Sequence, residues 1–206
     1  YVSYFGGREE MAYGLYFTRS LDGGATWLPE PVNLETAQPQ GKRIGFHKLE
    51  TDGKGNVYAF WSIEHETGSK RWRTTEVRRR RSPDFGATWP EALITWVPKG
   101  TINYPTSSTG VEGEMMMIWS GIEENTNGLF FSRTREGGTA WLPAPIRIDN
   151  HPPRPTPEER LGSRPPAWPK LARDKAGRLF VAWEEGDGDS TRIYFSRSLD
   201  QGVTWL

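Results

Sequence analysis

Apolar and polar positions alternate with a period of two along most of the chain, and no stretch carries the three-and-four spacing of an amphipathic helix. Four runs share one form, apolar at the start and arginine at the end: Leu15 to Arg19, Val77 to Arg81, Leu129 to Arg133 and Ile193 to Arg197. Upstream of each lies a second run ending in an aromatic: Tyr1 to Tyr4, Val57 to Trp61, Met115 to Trp119 and Leu179 to Trp183. Gly-bearing turns at Asp52–Gly55 and Asp174–Gly177 precede two of these and mark hairpins. A further short run follows at Pro31 to Leu34, Ala92 to Trp96 and Pro145 to Ile148. The pattern predicts a repeat of four short antiparallel strands, A to D, counted as three A, four B, four C and three D.

One phrase recurs between strands C and D. It reads Ser20-Leu-Asp22-Gly-Gly24-Ala-Thr-Trp27, Ser82-Pro-Asp84-Phe-Gly86-Ala-Thr-Trp89 and Ser198-Leu-Asp200-Gln-Gly202-Val-Thr-Trp205. A fourth copy keeps the frame through Glu136, Gly138 and Trp141 but loses Ser, Asp and Thr. The chemistry is that of a self-tying turn. Aspartate and hydroxyl oxygens accept from nearby backbone N–H groups, glycine takes a positive φ, and tryptophan packs beneath the hairpin. These residues are therefore read as structural. Radial repetition of four-stranded sheets at this length predicts an all-β fold, a β-propeller.

The phrase resembles the Asp-box, or BNR repeat, of the sialidase superfamily of β-propellers, and the resemblance spans all four repeats. A sialidase-like propeller has six blades and needs about 350 residues at this repeat length. The 206 residues are thus expected to form an incomplete arc of about three and a half blades within a single Asp-box propeller region. The blades would span 1–35 (partial), 45–97, 102–148 and 168–206 (partial). The remaining blades would come from a longer chain or from another copy. The resemblance also implies a location outside the cytoplasm and a carboxylated sugar held by three arginines, with a Tyr/Glu nucleophile pair and an aspartic acid/base.

Strand order assigns the ends of the blades. The A–B turns and Asp-boxes share one face; the B–C and D–A connections share the other, and their irregularity marks them as the functional candidates. Binding candidates there are Arg43, Arg164, Tyr104, Glu64 and Glu184, and no catalytic residue is singled out. Arg43-Ile44-Gly45 and Arg164-Pro165-Pro166 each keep two parts of the sialidase Arg-Ile-Pro motif. Tyr104 lies on this face, but a rim residue ahead of Pro105 is its simpler reading. The acidic stretch from Glu184 through Asp187 to Asp189 could hold Ca²⁺, but it matches no EF-hand spacing and a solvated hairpin is the simpler reading. Arg78 to Arg81 lie on a strand, so alternate members face opposite ways, and the Pro-rich run from His151 to Pro166 reads as a stiff D–A loop.

Composition narrows the classes. Ten tryptophans imply an aromatic core, and zero net charge argues against nucleic acid as a partner. There is no cysteine for a disulfide or thiolate site, three scattered histidines offer no metal-ligand spacing, and no apolar run reaches membrane-span length. No cofactor is expected. Two functions remain: a sialidase-like glycoside hydrolase acting as part of a longer chain, or a non-catalytic propeller presenting a glycan- or protein-binding surface. Three converging arginines would favour the first. A mouth lined by aromatic and acidic groups would favour the second.

Overall fold

The structure, a computed structural model, describes residues 1–8, 11–36, 41–67, 72–90, 94–96, 100–110, 113–123, 126–135, 140–149, 163–187 and 190–206. They fall into two compact units, Tyr1–Val97 and Pro98–Leu206. The first holds two antiparallel sheets. One is built from β1 (Val2–Arg8), β2 (Met11–Thr18) and β3 (Val32–Glu35), in that order. The other is built from β4 (Lys42–Thr51), β5 (Val57–Glu66), β6 (Trp72–Ser82) and β7 (Ile94–Trp96), each paired with the next.

The second unit repeats the plan. β8 (Thr101–Thr109), β9 (Met115–Glu123) and β10 (Thr126–Arg135) pair in sequence, and β10 also pairs with β11 (Ala140–Trp141) and β12 (Ile146–Arg147). β13 (Ser163–Arg173), β14 (Leu179–Asp187) and β15 (Ser190–Ser198) form the fourth sheet. These are the up-and-down blades of a β-propeller, with the A, B, C and D strands where the alternation places them. Among the described residues no helix is long and apolar enough to cross a membrane.

Cores form where the inner face of one sheet meets the next. In the first unit Leu15, Phe17 and Leu34 pack with Val57, Ala59, Trp61 and Ile63. In the second, Met116, Ile118, Leu129 and Phe131 pack with Leu171, Leu179, Val181 and Trp183. Trp61, Trp119 and Trp183 hold equivalent B-strand places, and all three are buried.

The Asp-boxes close the C–D turns through one repeated bonding pattern. Ser82 Oγ donates to Asp84 Oδ1 at 2.7 Å and accepts from Gly86 N at 2.9 Å. Asp84 accepts from Thr88 N at 2.8 Å and Thr88 Oγ1 at 2.7 Å. The same bonds recur around Asp22 and Asp200. Two successive residues of each box are left-handed: Gly23 and Gly24, Phe85 and Gly86, Gln201 and Gly202. Glu136 and Gly138 of the fourth copy lie outside the described residues.

The B–C connections differ from expectation. The strands run on into them: β5 continues to Glu66 and β6 starts at Trp72, while β14 continues to Asp187 and β15 starts at Ser190. Polar side chains do not end a strand whose backbone ladder continues, as the Glu184–Ile193, Glu185–Arg192 and Asp187–Ser190 pairs show. Candidate residues therefore stand on paired strands rather than on free loops.

Candidate functional site

At the ends of the blades away from the Asp-boxes, the A strands bulge. In β8, Tyr104 and Pro105 together oppose the single residue Trp119, between the Asn103–Ser120 and Thr106–Ile118 pairs. In β13, Trp168 and Pro169 oppose Trp183 in the same way, between Ala167–Glu184 and Lys170–Ala182. Both aromatics are left-handed, with φ of 48° and 51°, a conformation rarely adopted by bulky residues and one that turns the side chain out of the pleat. The proline that follows has no N–H, so the unpaired bulge position leaves no donor stranded.

Bulging brings the two rings together. Tyr104 and Trp168 meet at 4.3 Å between centroids with a 41° tilt, and Trp168 is 58% exposed. They line a pocket of about 260 Å³ with Ala167, Glu184, Glu185, Gly186 and Thr191. Adjacent carboxylates on a strand point to opposite faces, and the two glutamates behave accordingly. Glu184 is half-buried, whereas Glu185 is buried and accepts the Trp183 indole N–H at 2.8 Å. Tyr194 stacks on Trp183 at 5.9 Å. The described lining is thus aromatic and acidic, with one hydroxyl from Thr191.

Of the expected candidates, the pocket unites Tyr104 and Glu184. Arg43 and Glu64 also come together, in the first unit. They are cross-strand partners on β4 and β5, with Arg43 Nε donating to Glu64 Oε2 at 2.7 Å. The guanidinium lies 4.4 Å above the Trp72 ring, so both its edge and its face are engaged. Gly45 is required beside this pair, because a Cβ there would collide with the Glu64 carboxylate and the Ser62 hydroxyl. Arg164 stands on β13 opposite Gly186, which lines the pocket. Among the described residues no cluster of acidic or histidine side chains could hold a metal, and Asp189 of the calcium candidate lies outside them.

Sequence reasoning missed Trp168 as a site residue, although a signal was present. An aromatic–proline pair precedes a B-strand tryptophan at one spacing twice, with Pro105 and Pro169 each fourteen residues ahead of Trp119 and Trp183. Such a pair inside a strand demands a bulge.

A second polar network lies between the sheets of the first unit. Glu35 accepts the Trp61 indole N–H at 3.1 Å and pairs with Arg78 at 2.5 Å, while Arg78 also reaches Glu76 at 2.7 Å. Burial opposes the Arg78 charge, but the two carboxylates outweigh it and raise its pKa.

No family model matches the chain, nor does any curated protein sequence. Solved structures do resemble it. A β-1,3-galactosidase of glycoside hydrolase family 43 is 15% identical over 94% of this chain and 39% of its own, with a TM-score of 0.56. A protein of unknown function from Dyadobacter fermentans is 15% identical over 94% of this chain and 57% of its own, with a TM-score of 0.60. The α-L-arabinanase of Penicillium chrysogenum, complexed with arabinobiose, is 16% identical over 99% of this chain and 61% of its own, with a TM-score of 0.55. The chain therefore spans between two fifths and three fifths of the length of these structures. At such identities the likeness is one of fold.

Proposed function

We propose that this chain is a glycan-binding β-propeller module and that a sugar ring docks in the Tyr104–Trp168 pocket. The observation that carries the reading is the bulge-presented aromatic pair above a half-buried glutamate. A sugar offers one face of polarised C–H groups to the negative face of an aromatic ring and directs its hydroxyls outward. Trp168 and Tyr104 supply the rings, and Glu184 and Thr191 supply acceptors for the hydroxyls. Backbone strain at two bulky residues is kept where the surrounding structure over-determines it, which is common at ligand sites.

The ligand that fits is a neutral sugar. An acidic lining disfavours a carboxylated one by like-charge repulsion. Arg43, the better-placed clamp residue by motif, would have to exchange Glu64 for the substrate carboxylate with little net gain. The solved relatives named for galactose and arabinose chemistry support a neutral ligand by analogy of fold. The sialidase-like reading rests on the Asp-boxes and on Arg164, and it predicts turnover of a fluorogenic sialoside.

Titration with oligosaccharides of arabinose and of galactose, followed by tryptophan fluorescence, tests the proposal. Binding should shift the emission, and Trp168→Ala and Tyr104→Ala should each weaken it about tenfold or more. Binding that survives both substitutions would remove the pocket from the reading. Preference for a sialoside would return the site to the carboxylated class.

A further inference from the structure

Three strands of the first unit place three basic side chains in one row. Lys42 on β4 stands directly opposite His65 on β5, and His65 stands directly opposite Arg73 on β6. Paired residues of an antiparallel ladder project to the same face with Cβ atoms about 4.5–5.5 Å apart, so the three form a line across the sheet. Just beyond the row, Glu66 N donates to Gly41 O at 3.0 Å, which keeps the strand ends paired and the row fixed by backbone. Lys42 and His65 are half-buried, and Arg73 is exposed.

Like charges directly opposite one another destabilise a sheet. Elsewhere the cations of this sheet have carboxylates: Arg43 pairs with Glu64, Lys48 with Glu50, and Arg78 with Glu35 and Glu76. Lys42, His65 and Arg73 have none among the described residues, and no hydrogen bond or ring contact either. The next row on the same face is Ile44, Ile63 and Glu76. Two of these are apolar, and the Glu76 carboxylate is held by Arg78 through Nε at 3.0 Å and Nη2 at 2.7 Å. Glu64 and Glu66, as immediate neighbours of His65, alternate to the opposite face. The row therefore carries its own repulsion uncompensated.

We propose that the Lys42–His65–Arg73 row binds a tetrahedral oxyanion, the sulfate or phosphate group of an acidic ligand. An anion seated on the row turns mutual repulsion into attraction to each cation. Lysine and arginine bring charged donors on long stems that can converge on the central imidazole, which donates an N–H in either charge state. Three donors from three strands suit a group with three terminal oxygens. A carboxylate offers two, the match of a single guanidinium fork. The site is built from the first unit alone and is independent of what the Tyr104–Trp168 pocket binds.

Histidine-ring NMR of the 206-residue chain tests this, with inorganic sulfate and inorganic phosphate titrated against chloride at constant pH and ionic strength. Sulfate and phosphate should move the His65 resonances along a saturable curve, and chloride should not. Lys42→Gln and Arg73→Gln should each weaken sulfate about three- to fivefold, and about tenfold or more together, with unchanged circular dichroism. Arg73→Lys should keep most of the affinity, because the charge stays in place. A sulfated galactose oligosaccharide that binds more tightly than inorganic sulfate would assign the anion to a glycan, and equal affinity would assign it to the free ion; either upholds the site. His65 signals that follow chloride as they follow sulfate, shifts that never saturate, or sulfate affinity unchanged in the double variant would each overturn the proposal.

Discussion

Asp84 shows how one half-buried side chain can hold a turn. Its carboxylate is held at about 2 by the backbone N–H of Thr88, then by the Thr88 and Ser82 hydroxyls. Asp200 is likewise held at about 2, by the Thr204 hydroxyl first, and Asp22 is pushed lower still by the equivalent bonds to Thr26. An unfolded aspartate titrates near ~3.9, so between about pH 4 and pH 2 the unfolded chain binds more protons than the folded one. The contribution of these carboxylates is complete above that window and is lost as pH falls through it. The melting temperature should therefore drop on titration from pH 5 to pH 2, and the double variant Asp84→Asn, Asp200→Asn should show a shallower drop from a lower starting point. Equal slopes would remove the linkage. Glycine positions separate conformational from steric demand in the same turn. Gly23→Ala meets nothing within 4 Å and should cost only the left-handed penalty of about 1–2 kcal/mol. Gly86→Ala adds overlap with Phe17 and should cost a further ~1–3 kcal/mol in urea unfolding.

Strands with polar ends carry the site, and their tryptophans carry the core. Trp61 is fully buried between sheets and gives its indole N–H to Glu35. Trp61→Ala should lower unfolding free energy by about 3–5 kcal/mol. Trp61→Phe keeps most of the volume and removes the bond, so it should cost about 1–3 kcal/mol, and the two unfolding curves separate packing from hydrogen bonding. The A strands illustrate where alternation stops being informative. Period two holds through Thr106 to Thr109 and through Lys170 to Arg173, but the bulges at Tyr104-Pro105 and Trp168-Pro169 reverse the facing of everything before them. Sequence thus places Tyr104 and Trp168 at the same end of their blades, but not which way either ring faces.

At the scale of the whole chain, repetition is the organising fact, and it sets both what is covered and what is offered. Trp168→Ala should weaken sugar binding by isothermal calorimetry while leaving the far-ultraviolet circular dichroism unaltered, because its ring is exposed. The recurrent Ser-x-Asp-x-Gly-x-Thr-Trp phrase and the flanking apolar runs were enough to specify four-stranded blades, their strand order and the end of each blade at which the Asp-boxes lie. Those are local matters, decided by side chains bonding to their own turn and by alternation along one strand. Which polar residues meet was decided elsewhere. Arg43 and Glu64 are 21 residues apart and face each other only because a bulge sets the β4–β5 register. Tyr104 and Trp168 meet only because two bulged strands from separate sheets pack side by side. Contacts of that kind depend on cross-strand register and sheet packing, quantities that no single stretch of sequence contains, whereas the turn chemistry is complete within eight residues.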